Sequence, residues 1–181
     1  MMRSDVELIS AYRSGKLDAF HEFYGRYKDV LYTFLRNRCR EEADDLFQDT
    51  FQHFINAAAA RKIENPKAYL FQIAMNLIRN QGRKAIIIPV NDEIDLPAPE
   101  PEEEEIDEAV LQNSLAELAK EKPLFYDVLH LHIFGKMTFE EIGKIKDVNK
   151  DTIASRYQYA IHYLRKYLKN KNLASLEVEN A

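Results

Sequence analysis

The chain has 181 residues, with 25 Lys and Arg against 30 Asp and Glu, so its formal net charge is -5, and 46% of it is hydrophobic. That composition suits one soluble domain or two small ones, and apolar runs no longer than residues 57–60 and 85–88 leave no stretch of the roughly 20 residues that a membrane-spanning helix needs. Asp5 and Glu7 stand where an export signal would have its apolar core, so export is not expected, and the single Cys39 excludes an internal disulfide or a thiolate metal cluster within one chain.

Five Gly, six Pro and no Trp predict few turns and long regular elements, hence an all-α fold rather than a barrel or sandwich. Val6, Ile9 and Tyr12 mark one face of a short first helix that Gly15 stops. Asp18 is the expected N-cap of a second helix, whose stripe of Phe20, Phe23, Tyr24, Tyr27, Leu31, Phe34 and Leu35 is read as core. A third helix is expected from about Glu41 to Ala59, with Leu46, Phe47, Phe51, Phe54 and Ile55 inward and Asp45, Gln48, Asp49 and Gln52 outward. Asn65 caps a fourth helix with Pro66 at its first position, and Tyr69, Leu70, Ile73, Ala74 and Leu77 form its apolar stripe.

Charge then divides the chain. Residues 1–84 carry a net +3, residues 85–110 a net -10 and residues 111–181 a net +2. The acidic stretch holds Pro89, Pro97, Pro99 and Pro101 and the run Glu102 to Glu105, and is expected to be a flexible linker because it has too little apolar surface to offset its ordering entropy. It is read either as a solvated spacer or as a mask over a basic surface. The organisation expected is therefore a domain at 1–85, a linker at 86–110, a second domain at 111–170 and a tail at 171–181.

In the second domain Leu111, Leu115 and Leu118 begin a helix, Pro123 restarts one, and Phe125, Val128, Leu129, His132 and Ile133 continue its apolar face to Gly135. Thr138-Phe139-Glu140-Glu141 is a capping box that opens a short helix ending near Lys146 and Asp147. Asn149 caps another, with Ile153, Tyr157, Ala160, Ile161, Leu164 and Leu168 inward. Two capped helices across a tight turn make a helix-turn-helix, whose second helix can enter a DNA major groove. Lys150, Ala154, Ser155, Gln158 and Tyr159 are expected to project from it, while Arg156 and the later cations suit phosphates.

Two further faces invite partners. Asn76, Asn80, Arg83 and Lys84, with Tyr69 at the helix start, combine amide, cation and aromatic groups that suit single-stranded nucleic acid, although a solvated basic helix end has the same composition. Asp44, Asp45, Gln48 and Asp49 would repel phosphate and fit a basic protein, or simply water. His130 and His132 diverge on a helix and lack further ligands, so no metal or cofactor is expected, nor any catalytic pairing.

The stretch Ala43-Asp44-Asp45-Leu46-Phe47-Gln48-Asp49-Thr50-Phe51 resembles the acidic signature of region two in bacterial sigma factors. Asn65-Pro66-Lys67-Ala68-Tyr69-Leu70 through Asn76, Arg83 and Lys84 resembles the next segment of that region. Phe139-Glu140-Glu141-Ile142-Gly143 through Thr152-Ile153-Ala154-Ser155-Arg156 is similar to region four, and the order and length resemble the extracytoplasmic-function class. The resemblance implies a promoter-specificity subunit in which Asp45, Gln48 and Asp49 bind the beta-prime coiled coil of core RNA polymerase. It also implies that Lys62, Asn65, Tyr69, Asn76, Asn80, Arg83 and Lys84 meet the minus-ten strand. Lys150, Thr152, Ser155, Arg156, Gln158 and Tyr159 would meet the minus-thirty-five duplex, with the polymerase beta flap and an anti-sigma factor as further partners in the cytoplasm. Tyr69 stands where the family usually has Trp, Asn80 for Asp, Asp147 for a turn Gly, Lys146 for an apolar residue and Ala154 for a frequent basic one. A stand-alone helix-turn-helix regulator and a pure sequestering module are the alternatives.

Overall fold

The computed structural model describes residues 3–81 and 108–179. Among these residues the chain forms eight α-helices and no strand: α1 (Asp5–Arg13), α2 (Leu17–Cys39), α3 (Ala43–Ala60), α4 (Pro66–Gln81), α5 (Glu108–Glu121), α6 (Pro123–Ile133), α7 (Phe139–Lys146) and α8 (Lys150–Glu179). The acidic linker, apart from its last three residues, lies outside the described residues, as do Arg83 and Lys84. Those last three residues, Glu108 to Val110, already belong to α5, where Glu108 in the first turn complements the helix dipole.

Local chemistry explains most helix ends. Ser4 and Glu7 form a capping box on α1, Asn65 Oδ1 accepts from the Ala68 amide at 3.0 Å, and Asn149 Oδ1 accepts from the Asp151 amide at 2.9 Å. Thr138 and Glu141 complete the expected capping box of α7. Asp18 does not cap α2: that helix starts at Leu17, and Asp18 sits in its first turn, where a carboxylate still favours the dipole. A short 3-10 turn, Arg40–Glu42, replaces the expected first turn of α3.

The α7–α8 connection depends on Asp147, which is left-handed at φ 56 and ψ 49 and returns its amide to the Gly143 carbonyl. Left-handed backbone costs a residue with a Cβ roughly 1–2 kcal/mol, much of which glycine avoids. Asp147→Gly should therefore stabilise the fold by about 1 kcal/mol, a rise in Tm of about 2–4 °C by calorimetry. Gly143 cannot be exchanged in the same way, because a Cβ there would lie 2.7 Å from the Val148 carbonyl oxygen.

Helices α1–α4 enclose an aromatic core in which Phe23 and Phe54 stack at 4.9 Å and 8°. Helices α5–α8 pack Leu118, Tyr126, Leu129, Leu131, Ile142 and Ile153 between them. Val6 and Ile133, both expected inside, are exposed; Leu8 and Ile9 carry the buried face of α1. The two lobes also share an interface. Phe34 of α2 stacks on Tyr126 of α6 at 6.0 Å and 7°, and the side chain of Asn37 donates to the Tyr126 hydroxyl at 2.9 Å.

That contact continues as a directed chain. His130 Nε2 lies 3.0 Å from the Val30 carbonyl, which can only accept, so Nε2 carries the proton and Nδ1 accepts from the Tyr126 hydroxyl at 3.1 Å. Burial holds the His130 ring neutral, pushing its pKa down to about 4 even though the Val30 carbonyl favours the charged form. In the unfolded chain the ring titrates near its ordinary 6.5, so the unfolded state takes up the proton first as pH falls. Stability is complete above that value and should decline by on the order of 3 kcal/mol as pH falls towards 4. Urea melts between pH of about 7 and 4 should show this decline, and His130→Gln should flatten it.

Candidate nucleic-acid interface

The three predicted surfaces occupy different helices. On α3, Leu46, Thr50, Phe51, Phe54 and Ala58 face the core, which leaves Asp45, Gln48 and Asp49 together on its outer side. Neighbouring Asp44 accepts from the Tyr32 hydroxyl at 2.9 Å, so it is tied to α2. The result is a narrow acidic face on a helix whose opposite side is fully packed. Such a face repels phosphate and attracts a basic protein surface.

On α4, burial of Leu70, Phe71, Ala74 and Met75 turns Asn76 and Asn80 to the outside one helical turn apart. Lys62 is exposed in the preceding loop. Tyr69 is half-buried, its ring 6.2 Å from that of Phe54, and Arg61 takes up much of the rest: its guanidinium lies 5.0 Å from the ring centroid and donates to the hydroxyl at 2.8 Å. Arg61 belongs to the loop from Ala60 to Asn65 that the resemblance places at this surface; its pairing with Tyr69 is what the structure adds. A base approaching Tyr69 therefore meets an aromatic and a cation together, a combination suited to an unpaired strand. Asn65 is engaged through both halves of its amide, since Oδ1 caps α4 and Nδ2 donates to Glu141 at 2.8 Å.

On α8, Lys150, Ser155 and Gln158 lie along the outer side, with Thr152 half-buried. Ser155 Oγ donates to the Asp151 carbonyl at 3.0 Å, and Arg156 is half-buried with Nε enclosed. Tyr159 corrects an expectation: it is 8% exposed and stacks on Phe125 of α6 at 5.4 Å and 16°, so it belongs to the core of the second lobe and does not project towards DNA. The apolar stripe of α8 is wide enough to take in both Tyr159 and Ala160, because helix α6 lies against it. A groove lined by Glu140, Gly143, Lys144, Asp147, Val148 and Asn149 separates α7 from the start of α8.

The residues that join the lobes lie behind these faces. Asp127, fully buried on α6, accepts from Arg38 Nε of α2 at 2.7 Å and from Lys146 Nζ of α7 at 2.6 Å. Burial pushes the Asp127 carboxyl up, but the Lys146 and Arg38 charges outweigh it and hold its pKa below the usual carboxylate range. His132 contacts the rings of Phe139 and Tyr157 and the Met137 carbonyl, and among the described residues no group of His, Cys, Asp and Glu could hold a metal ion. No described helix is long and apolar enough to cross a membrane.

Residues 22–85 match the sigma-70 region 2 family, a span that holds the acidic face of α3 and all of α4. None of the curated proteins matches the chain. Among solved structures it is similar to CnrH, determined in complex with the cytosolic domain of CnrY, with 21% identity, a TM-score of 0.62, and 92% of this chain and 97% of that chain covered. It is similar too to the sigma factor RpoE determined with the anti-sigma factor NepR from Bartonella quintana, with 21% identity, a TM-score of 0.60, and 83% of this chain and 96% of that chain covered. Both are likenesses of fold, and they run through both lobes. The first lobe thus carries a sigma-70 region 2, and the two lobes together have the fold of CnrH and of the sigma factor RpoE.

Proposed function

We propose that the chain binds core RNA polymerase and selects promoters for it, with residues 1–85 acting on the polymerase and the minus-ten strand and residues 111–170 on the minus-thirty-five duplex. One observation carries this reading: Asp45, Gln48 and Asp49, on the outer side of α3, lie within the span that matches sigma-70 region 2. An acidic face there suits the basic beta-prime coiled coil of polymerase, as the resemblance implies. Lys62, Tyr69 with Arg61, Asn76 and Asn80 supply stacking and polar groups for an extruded strand, and Arg83 and Lys84 add charge in the sequence just beyond.

In the second lobe, Lys150 and Arg156 suit phosphates while Ser155 and Gln158, with Thr152, suit base edges; the beta flap is the polymerase element proposed for this lobe. Chemistry is left to polymerase, and the protein acts by binding in the cytoplasm. An anti-sigma factor is a further proposed partner, supported by neighbours that were solved with CnrY and with NepR.

Gln158→Ala separates this reading from its competitors. The variant should still assemble with core polymerase but should change which upstream duplexes support transcription. Unchanged promoter choice would favour a sequestering module, and dimers bound to palindromic sites without polymerase would favour a stand-alone regulator.

A further inference from the structure

Gln72 and Arg79 are exposed on α4, outside the set expected to meet the minus-ten strand. Burial of Leu70, Phe71, Ala74 and Met75 fixes the opposite side of the helix, so Gln72, Asn76 and Asn80 recur at every fourth position of the open side as one slanting row of amides. The Tyr69 ring, with Arg61 over it, lies at the start of that row, and Arg79 flanks its far end. On α3, by contrast, Gln52 and Asn56 stand at the same spacing but pair with each other at 3.3 Å. Among the described residues the α4 amides make no such bond.

The spacing suits an unpaired strand. Four residues of α-helix rise by about 6 Å, so the three amides cover about 12 Å in two even steps. Successive bases of a stacked duplex strand rise only about 3.4 Å and would fall out of step, whereas a strand with its bases splayed apart advances roughly twice as far per nucleotide. One amide then meets each of three successive bases.

The chemistry narrows the base. An amide presents a donor beside an acceptor, and adenine alone offers the matching pair on both its Watson–Crick edge and its major-groove edge. Cytosine, guanine and thymine match on the first of these edges only. An extruded adenine is therefore read whichever of the two edges it turns towards α4. Arg79, a cation beside a row of neutral groups, suits the phosphates that run past it.

We propose that Gln72 reads a base of the captured strand as the first member of an adenine-selective row, Gln72, Asn76 and Asn80, and that Arg79 holds the backbone beside it. The inference deepens the sigma-factor reading and rests on it for the placement of the minus-ten strand on α4. Three consecutive positions of that strand then favour adenine, and Gln72 governs the one at the Tyr69 end of the row.

The test uses holoenzyme assembled from core polymerase and the full chain, transcribing a promoter library in which each base of the minus-ten element is varied in turn. Wild-type protein should favour adenine over the other bases roughly 10-fold at each of three successive positions. Gln72→Ala should erase the preference at one of them and leave the other two intact. Gln72→Glu, which keeps the length of the side chain but cannot donate, should lose it at the same position. Arg79→Ala should instead lower output on every template alike and weaken the salt dependence of strand capture. All three changes are at exposed positions, so melting temperatures close to that of wild type show that the fold is retained. An unchanged base preference in the Gln72 variants overturns the proposal, and so does a loss that is equal on all templates. Failure of the sigma-factor reading looks different: wild-type protein then supports transcription from no template, and the proposal falls with it.

Discussion

Core polymerase is expected to lose this protein when Asp45 and Asp49 are both changed to Lys. The two carboxylates lie one helical turn apart on the outer side of α3, and the buried side of that helix, Leu46, Thr50, Phe51 and Phe54, is untouched by the change. The fold should therefore survive with its melting temperature within a few degrees, because surface substitutions away from packed features are worth about ±0.5 kcal/mol. Binding should not survive. Like charges set against each other across an interface cost several kcal/mol, so affinity for a basic polymerase surface should fall roughly 100-fold or more, mostly through slower association, and the deficit should narrow at high salt as the repulsion is screened. Titration of labelled protein with core polymerase measures it directly. Asp44→Asn, at the carboxylate already held by Tyr32, should have a much smaller effect.

The second large effect is on stability. Asp127→Ala should cost about 3–5 kcal/mol, since it leaves Arg38 and Lys146 facing each other without their shared counter-charge. Urea denaturation should show the loss as a lower midpoint, and the double variant Asp127→Ala with Lys146→Met should recover part of it by removing the stranded ammonium. Removal of an ordinary exposed carboxylate, such as Asp29 beside Lys28, should be close to neutral. Between Asp127 and His130 the acid side of the stability profile is largely set by the α6–α2 contact. His130 adds to the acid loss from its ordinary 6.5 down to about 4, and Asp127, with its lowered pKa, from the ordinary carboxylate value of 3.8 downward.

The helices and their caps are legible in the sequence because each rests on residues close together along the chain. Asn65 with Pro66, Thr138 with Glu141, and Asn149 all cap as their spacing predicts, and Asp147 is left-handed where a tight turn demands it. The acidic face of α3 is legible for the same reason, since a helical period fixes which residues share a side. Tyr159 departs from expectation because period alone does not give the width of a buried stripe; that depends on Phe125 from another helix. The interface between lobes is not legible from spacing. One signal is present: Asp127 is a lone acid in the otherwise buried run from Tyr126 to Leu131, and such a group requires a cation from elsewhere. Neither Arg38, 89 positions away, nor Lys146 can be identified as that cation without the fold. Arg61 over Tyr69 shows a milder form of the same limit, a pairing made by the loop between α3 and α4.

Run-off transcription of fragmented genomic DNA, with transcript starts mapped for core polymerase alone, for polymerase with this protein, and for polymerase with the Asp45→Lys, Asp49→Lys variant, bears most directly on the role assigned to the chain. The expected result is a set of discrete starts that share two upstream elements, present only with the wild-type protein. Identical starts in all three reactions would contradict it.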